Sequence, residues 1–87
     1  MYVEIYSRDG CVYCDMAIEL TTQLPTCTYD KYTLNKDFTR EEMVSRFPTA
    51  TTYPQILVDG EHIGGYTEYN EYVGRMDRVR HHPTDSH

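Results

Sequence analysis

Two cysteines stand where the chain changes from a strand-like to a helix-like pattern. Residues 2–6 are β-branched and aromatic, which is typical of a short strand, and an Asp-Gly pair follows them. Residues 12–24 carry apolar side chains at three- and four-residue spacing until a proline stops the run, which predicts a helix. Cys11 and Cys14 therefore lie at the junction, with Cys11 at or just before the start of the helix.

Three further signals precede residue 50. Residues 27–34 form a polar strand candidate, and residues 35–37 form a loop. Thr39 and Glu42 have the spacing of a capping box, in which each side chain accepts the other residue's backbone N–H. A second helix is therefore expected after Thr39, and Pro48 ends it.

The remaining residues predict a hairpin and a last helix. Residues 55–58 are a buried type of apolar run, and residues 61–64 return as the partner strand after an Asp-Gly turn. Thr67 is expected to cap the last helix. The apolar face of that helix carries Tyr69, Val73 and Met76. The order β-α-β-α-β-β-α predicts an α/β fold, with a parallel βαβ unit followed by a hairpin and a covering helix.

Composition limits the class of protein. The 87 residues suffice for one domain, which we place at residues 1–80 with a polar tail over residues 81–87. The formal net charge of −6 argues against nucleic-acid binding, which needs clustered Lys and Arg. No apolar run could span a bilayer, and the first residues do not resemble a signal peptide. We therefore expect no membrane partner and a reducing cytoplasmic location, with which an odd number of cysteines agrees.

The position of the cysteine pair favours thiol chemistry. A helix N-terminus presents unpaired N–H groups and the positive end of the helix dipole, and both favour a thiolate at Cys11. Arg8 adds a positive charge, whereas Asp9 and Asp15 oppose it. A Cys-x-x-Cys pair in a βαβ setting is typical of redox proteins.

The sequence gives less support to other roles for the cysteine pair. A structural zinc site needs four ligands, and only Cys27 and four histidines remain to complete one, without a second Cys-x-x-Cys or a His-x3-His pair. A structural disulfide is unfavourable in a reducing compartment. A coincidental pair of core cysteines also stays open at this point. Cys27 itself is expected to be a buried strand residue rather than a third redox centre, and His62 a surface side chain.

With C-V-Y-C in place, the chain resembles the glutaredoxins as far as about residue 79. A second run, T-T-Y-P-Q-I-L-V-D-G-E-H-I-G-G-Y-T-E-Y, resembles the family pattern T-V-P-Q-[IV]-F-V-x-x-x-x-I-G-G-[YF]-x-[DE] and is far more specific. The resemblance implies a thioredoxin-like fold with a four-stranded mixed sheet and three helices. It also implies glutathione-dependent reduction of protein disulfides and of protein–glutathione mixed disulfides, with no bound cofactor and glutathione as cosubstrate.

The resemblance assigns roles by position. Cys11 would be the nucleophile, Cys14 the resolving thiol, and Pro54 the family's cis-proline. The backbone of Tyr53 would pair with the cysteinyl unit of glutathione, and Thr67 and Glu68 would meet its γ-glutamyl end. Arg8 matches the family's basic residue for the glycine carboxylate, and Arg46 is an approximate match for a second one. The full set of implied glutathione contacts is Arg8, Tyr13, Arg46, Thr52, Tyr53, Pro54, Gly65, Tyr66, Thr67 and Glu68.

Three positions depart from the family pattern, and none removes the chemistry. Val12 replaces the commoner proline of C-P-Y-C, Tyr53 replaces valine and Glu68 replaces aspartate. Val12 leaves open a second function, in which two subunits share a [2Fe–2S] cluster held by Cys11 and glutathione. A third hypothesis is reduction by thioredoxin reductase instead of glutathione. We expect a monomer whose clients are disulfide-containing or glutathionylated proteins; ribonucleotide reductase is a client typical of the family.

Overall fold

The computed structural model describes the backbone of residues 1–85 and the side chains of residues 1–76. Its elements follow the predicted order and confirm the α/β class. They are β1 (Tyr2–Ser7), α1 (Val12–Thr22), β2 (Thr28–Thr33), α2 (Arg40–Arg46), β3 (Gln55–Val58), β4 (Glu61–Gly64) and α3 (Tyr66–Asp85). No helix in this part of the chain is both long and apolar enough to cross a membrane.

The four strands form one mixed sheet in the order β2-β1-β3-β4. β1 runs parallel to β2 and antiparallel to β3, and β3 runs antiparallel to β4. Tyr6 near the end of β1 is opposite Gln55 at the start of β3, and Ile56 is opposite Gly64 at the end of β4. The loops that leave β1 and β4 therefore meet the loop that enters β3 at one edge of the sheet.

Alternation along the strands divides the core between the two faces of the sheet. Val3 and Ile5 of β1 share a cluster with residues of α1 and α3, among them Ala17 and Tyr69. The opposite face carries a cluster that includes residues of α2 and the segment before it. Its members are Tyr6, Phe38, Met43, Phe47 and Leu57. The sheet is therefore covered by two helices on one side and by one short helix on the other.

The helix starts agree with the sequence at two of three places. Cys11 is the N-cap of α1. Thr39 and Glu42 form the expected capping box at α2. The prediction for α3 was wrong, because the helix begins at Tyr66 and Thr67 lies inside its first turn. The side chain of Glu68 instead accepts the N–H of Gly65, the residue before the helix, at 2.8 Å, so the capping contact comes from Glu68.

The last helix is longer than the sequence indicated. α3 continues to Asp85, through five of the seven residues (81–85 of 81–87) that were assigned to a polar tail. Tyr69 and Val73 are buried as predicted, but Met76 is 38% exposed. The predicted apolar face of α3 is therefore buried at Tyr69 and Val73 and partly exposed at Met76.

The phenol of Tyr69 joins α3 to α1 inside the core. Its oxygen lies 2.6 Å from Thr21 Oγ1, and that hydroxyl donates to the Ala17 carbonyl at 2.8 Å, so the phenol is the donor of the first bond. Burial raises the pKa of Tyr69, which keeps this O–H protonated.

We predict that Tyr69→Phe lowers the free energy of unfolding by about 1 kcal/mol, because it removes one buried hydrogen bond and leaves the ring in place. Urea denaturation followed by circular dichroism measures the change. Tyr29→Phe, at an exposed tyrosine of β2, is the matched control and should be neutral. Equal stability of the two variants would contradict the assigned role.

Candidate active site

Cys11 and Cys14 form a disulfide at the N-terminus of α1. The Cα atoms are 5.2 Å apart, within the range usual for disulfides. Cys11 Sγ accepts a hydrogen bond from the backbone N–H of Cys14 at 3.1 Å. Cys11 is 7% exposed and Cys14 2%, whereas Tyr13 between them is 58% exposed. In the reduced protein the same N–H and the helix dipole would stabilise a thiolate at Cys11.

The loop before β3 supplies the second part of the site. The Tyr53–Pro54 peptide bond is cis, as the resemblance implied, and Pro54 is buried. Gln55 Nε2 donates to the Thr52 carbonyl at 2.9 Å, which ties the loop to the first residue of β3. The guanidinium of Arg8 lies over the Tyr53 ring, 5.9 Å from its centroid. The segment after β1 and the loop before β3 are therefore in contact.

The turn from β4 into α3 supplies the third part. A Cβ atom built on Gly65 would lie 3.5 Å from the Pro54 carbonyl oxygen, so this turn passes directly beside the cis-proline loop. Gly64 has a φ of +128°, a conformation that side-chain-bearing residues rarely adopt. The ring centroids of Tyr66 and Tyr13 are 5.9 Å apart. Three segments that are distant in sequence thus come together, one of which carries the cysteine pair.

A cavity of about 440 Å³ extends from this site toward α2. Its lining includes Arg8, Thr52 and Tyr53, all of which the resemblance had assigned to glutathione binding. It also includes Arg40, which the sequence analysis missed. Arg40 is the first residue of α2, where the dipole disfavours a cation, and that unfavourable position was the available signal. The lining residues include two arginines and no acidic side chain, so the cavity suits an anion.

Arg46 is not brought to this site. It is the last residue of α2 and lines a different cavity, of about 400 Å³, over the opposite end of the helix. Its guanidinium donates to the Tyr6 hydroxyl and lies 5.1 Å from the centroid of the Tyr6 ring. Burial raises the pKa of Tyr6, and the nearby Arg46 cation opposes that shift. Arg46 therefore packs against the aromatic side chains of Tyr6 and Phe47.

Cys27 and the histidines add no metal site in the described residues, where no group of three or more potential ligands comes together. Cys27 is partly buried, directly before β2, rather than a strand residue as expected. Burial raises the pKa of its thiol, so it is a poor nucleophile at neutral pH.

Comparison with known proteins agrees with this geometry. A family model described as Glutaredoxin matches residues 3–63. Glutaredoxin 1 of Escherichia coli (strain K12) is 33% identical over 79 residues, which cover 84% of this chain and 93% of that protein. Glutaredoxin 3 of the same organism is 38% identical over 63 residues, which cover 72% and 75% of the two chains.

Solved structures give the same result. The crystal structure of glutaredoxin 1 from Francisella tularensis, complexed with cacodylate, superposes with a TM-score of 0.71 at 28% identity, covering 86% of this chain and 94% of that one. Reduced Escherichia coli glutaredoxin superposes with a TM-score of 0.69 at 32% identity, covering 86% and 95%. The fold is thioredoxin-like, as the resemblance implied. With its cysteine pair at a helix N-terminus beside a cis-proline, the chain belongs to the glutaredoxin family of thiol–disulfide oxidoreductases.

Proposed function

We propose that this protein reduces protein disulfides and protein–glutathione mixed disulfides with electrons from glutathione. The observation that carries the proposal is the hydrogen bond from the Cys14 N–H to Cys11 Sγ at the start of α1, beside the cis-proline loop. It makes Cys11 the sulfur best able to exist as a thiolate. The adjoining cavity with Arg8 and Arg40 supports glutathione as the reductant, because that tripeptide is anionic.

The reaction consists of successive thiol–disulfide exchanges. The Cys11 thiolate attacks one sulfur of a substrate disulfide, that bond breaks, and the other substrate sulfur leaves as a thiolate that takes a proton from solvent. Cys14, after losing its proton, then attacks Cys11 Sγ and releases the rest of the substrate, forming the disulfide seen in the structure. Two glutathione molecules then reduce this disulfide. The first attacks Cys11 Sγ, forms a mixed disulfide with it and releases Cys14. The second attacks the glutathione sulfur of that mixed disulfide, which releases Cys11 and forms glutathione disulfide.

For a glutathionylated protein the second cysteine is dispensable. Cys11 attacks the glutathione sulfur and releases the protein thiol, and free glutathione then attacks that same sulfur and releases Cys11. A thiol of low pKa leaves faster but is intrinsically less nucleophilic. The helix N-terminus therefore contributes most in the step that releases Cys11.

We infer a glutathione pose from the three segments around the cysteines. The cysteinyl unit pairs with the backbone of Tyr53, and its sulfur faces Cys11. The γ-glutamyl end meets Thr67 and Glu68 at the start of α3, where free N–H groups suit its carboxylate. Arg8 and Arg40 receive the glycine carboxylate, with Arg40 in the place given earlier to Arg46. Gly65 has no side chain to obstruct the tripeptide, and the rings of Tyr13 and Tyr66 line one side of its site.

The proposal has further parts. Glutathione is a cosubstrate, so no bound cofactor is required. The protein acts as a monomer in the cytoplasm on proteins that carry accessible or glutathionylated cysteines, and ribonucleotide reductase remains a candidate client by resemblance alone. A [2Fe–2S] cluster held between subunits stays a separate prediction, which the visible absorbance of freshly purified protein tests.

We predict turnover of a small glutathione mixed disulfide in an assay coupled to glutathione reductase and NADPH. Cys14→Ser should stay within about threefold of the wild type, because glutathione resolves the intermediate itself. Cys11→Ser should be inactive, and Cys27→Ser, the control at the third cysteine, should match the wild type. Inactive wild-type protein would contradict glutathione dependence. Loss of turnover in Cys14→Ser alone would show that the dithiol route is obligatory.

We also predict an order of thiol reactivity in the reduced protein. Iodoacetamide at mildly acidic pH should label Cys11 first, because only Cys11 Sγ receives a helix N–H. Burial raises the pKa of Cys27, so less of its thiol is ionised at neutral pH than in an exposed cysteine. Cys27 should therefore react only when the pH is well above neutrality. Time-resolved mass spectrometry of the labelled peptides measures the order. Faster labelling of Cys27 than of Cys11 would contradict the assigned nucleophile.

A further inference from the structure

The carboxamide of Gln55 connects the cis-proline loop to β4. Gln55 is 4% exposed, and both ends of its amide are hydrogen-bonded. Nε2 donates to the Thr52 carbonyl at 2.9 Å, and Oε1 lies 2.7 Å from His62 Nε2. This chain of bonds runs from an edge-strand histidine to the backbone of the loop in which Tyr53 follows Thr52.

The direction of each bond follows from its acceptors. The Thr52 carbonyl can only accept, so the group of Gln55 that faces it must be the NH₂. The carbonyl end of Gln55 then faces His62 and can only accept, so His62 Nε2 must carry a proton. An imidazole ring can hold a proton on that nitrogen in both its neutral and its charged state. His62 and the Thr52 carbonyl therefore stabilise the same orientation of the Gln55 amide.

The ring of His62 is itself held in place. Its centroid is 4.5 Å from that of Phe47, at the end of α2, with the planes 39° apart. A register shift between Ile56 and Leu57 places His62 opposite Leu57 on the face of the sheet that α2 covers. Gln55, two residues before Leu57, lies on the same face. Packing and strand register together aim Nε2 at Gln55.

We propose that His62 is a positioning residue for glutathione, acting through Gln55 to fix the Thr52–Tyr53 backbone. Without its N–H, the buried Oε1 of Gln55 has no hydrogen-bond donor, so the amide is held at one end only and its bond to the Thr52 carbonyl is weakened. The backbone edge of Tyr53, on which the cysteinyl unit pairs, is then less firmly fixed. This inference rests on the proposed function and adds a residue that touches neither glutathione nor the cysteines.

The test is the dependence of turnover on glutathione concentration, with a small mixed disulfide held constant. His62→Phe keeps a ring on Phe47 but removes the donor, and we expect the KM for glutathione to rise about five- to tenfold with kcat nearly unchanged, as for the loss of one hydrogen bond. His62→Gln puts an amide N–H near the position of Nε2 and should restore most of the affinity. Glu61→Gln, at the exposed neighbour in β4, is the control.

Gln55→Met, which removes the amide and keeps the side-chain length, makes the same test if His62→Phe does not fold, and it should show the same rise in KM. An unchanged KM in the variant tested would overturn the inference. So would a rise in KM for His62→Gln as large as or larger than that for His62→Phe, because a restored N–H donor would then have recovered nothing. These results leave the proposed function intact, whereas inactive wild-type protein would overturn the proposed function and this inference with it.

Discussion

The antiparallel pairing of β1 with β3 is the constraint on which the site depends. Because Tyr6 at the end of one strand lies opposite Gln55 at the start of the other, the cysteine loop and the cis-proline loop must occupy the same edge of the sheet. The pairing of β3 with β4 then brings Gly64, and with it the start of α3, to that edge. Three short segments with little structure of their own are thus positioned by a sheet whose central strands are mostly buried.

Electrostatics make this edge different from the rest of the molecule. The chain carries 14 acidic and 8 basic residues, yet the lining of the cavity beside the cysteines includes Arg8 and Arg40 and no acid. The N-terminus of α1 adds its partial positive charge at Cys11. A small anionic thiol is therefore attracted locally by a protein whose net charge repels acidic macromolecules at longer range. That division supports the proposal that glutathione, rather than an acidic protein, reduces the Cys11–Cys14 disulfide.

Much of the fold could be predicted because the local signals agreed with one another. The turn residues and the apolar runs gave β3 and β4 with the bounds seen in the structure, and the capping box gave the start of α2. The start of α3 could not be predicted from Thr67, because the capping group is the Glu68 side chain folded back on Gly65. The length of α3 was also underestimated, since the polar sequence of its last turns carries no periodic apolar signal.

Site residues could be predicted where a sequence motif contains them. They could not be predicted where the tertiary packing determines which residue reaches the site. Cys11, Cys14 and Pro54 follow from two sequence motifs. Arg40 and Arg46 lie at opposite ends of one short helix, and their spacing alone does not say which end faces the cysteines.

His62 is exposed, as the sequence predicted. Its contact with Gln55 was not predicted, because only the strand register and its shift bring the two side chains together. The contacts of His62 depend on how β3, β4 and α2 pack together, and no single segment of the sequence predicts that packing.

The measurement that tests the account most directly is the NMR structure of the Cys14→Ser protein carrying isotope-labelled glutathione on Cys11. The account predicts nuclear Overhauser contacts from the cysteinyl unit to the Tyr53 backbone and from the γ-glutamyl unit to Thr67 and Glu68. It also predicts that the glycine end lies between the arginines of the adjoining cavity. A tripeptide that is attached only through its sulfur, with no contacts to these segments, would contradict the proposal that this edge of the sheet is a glutathione site.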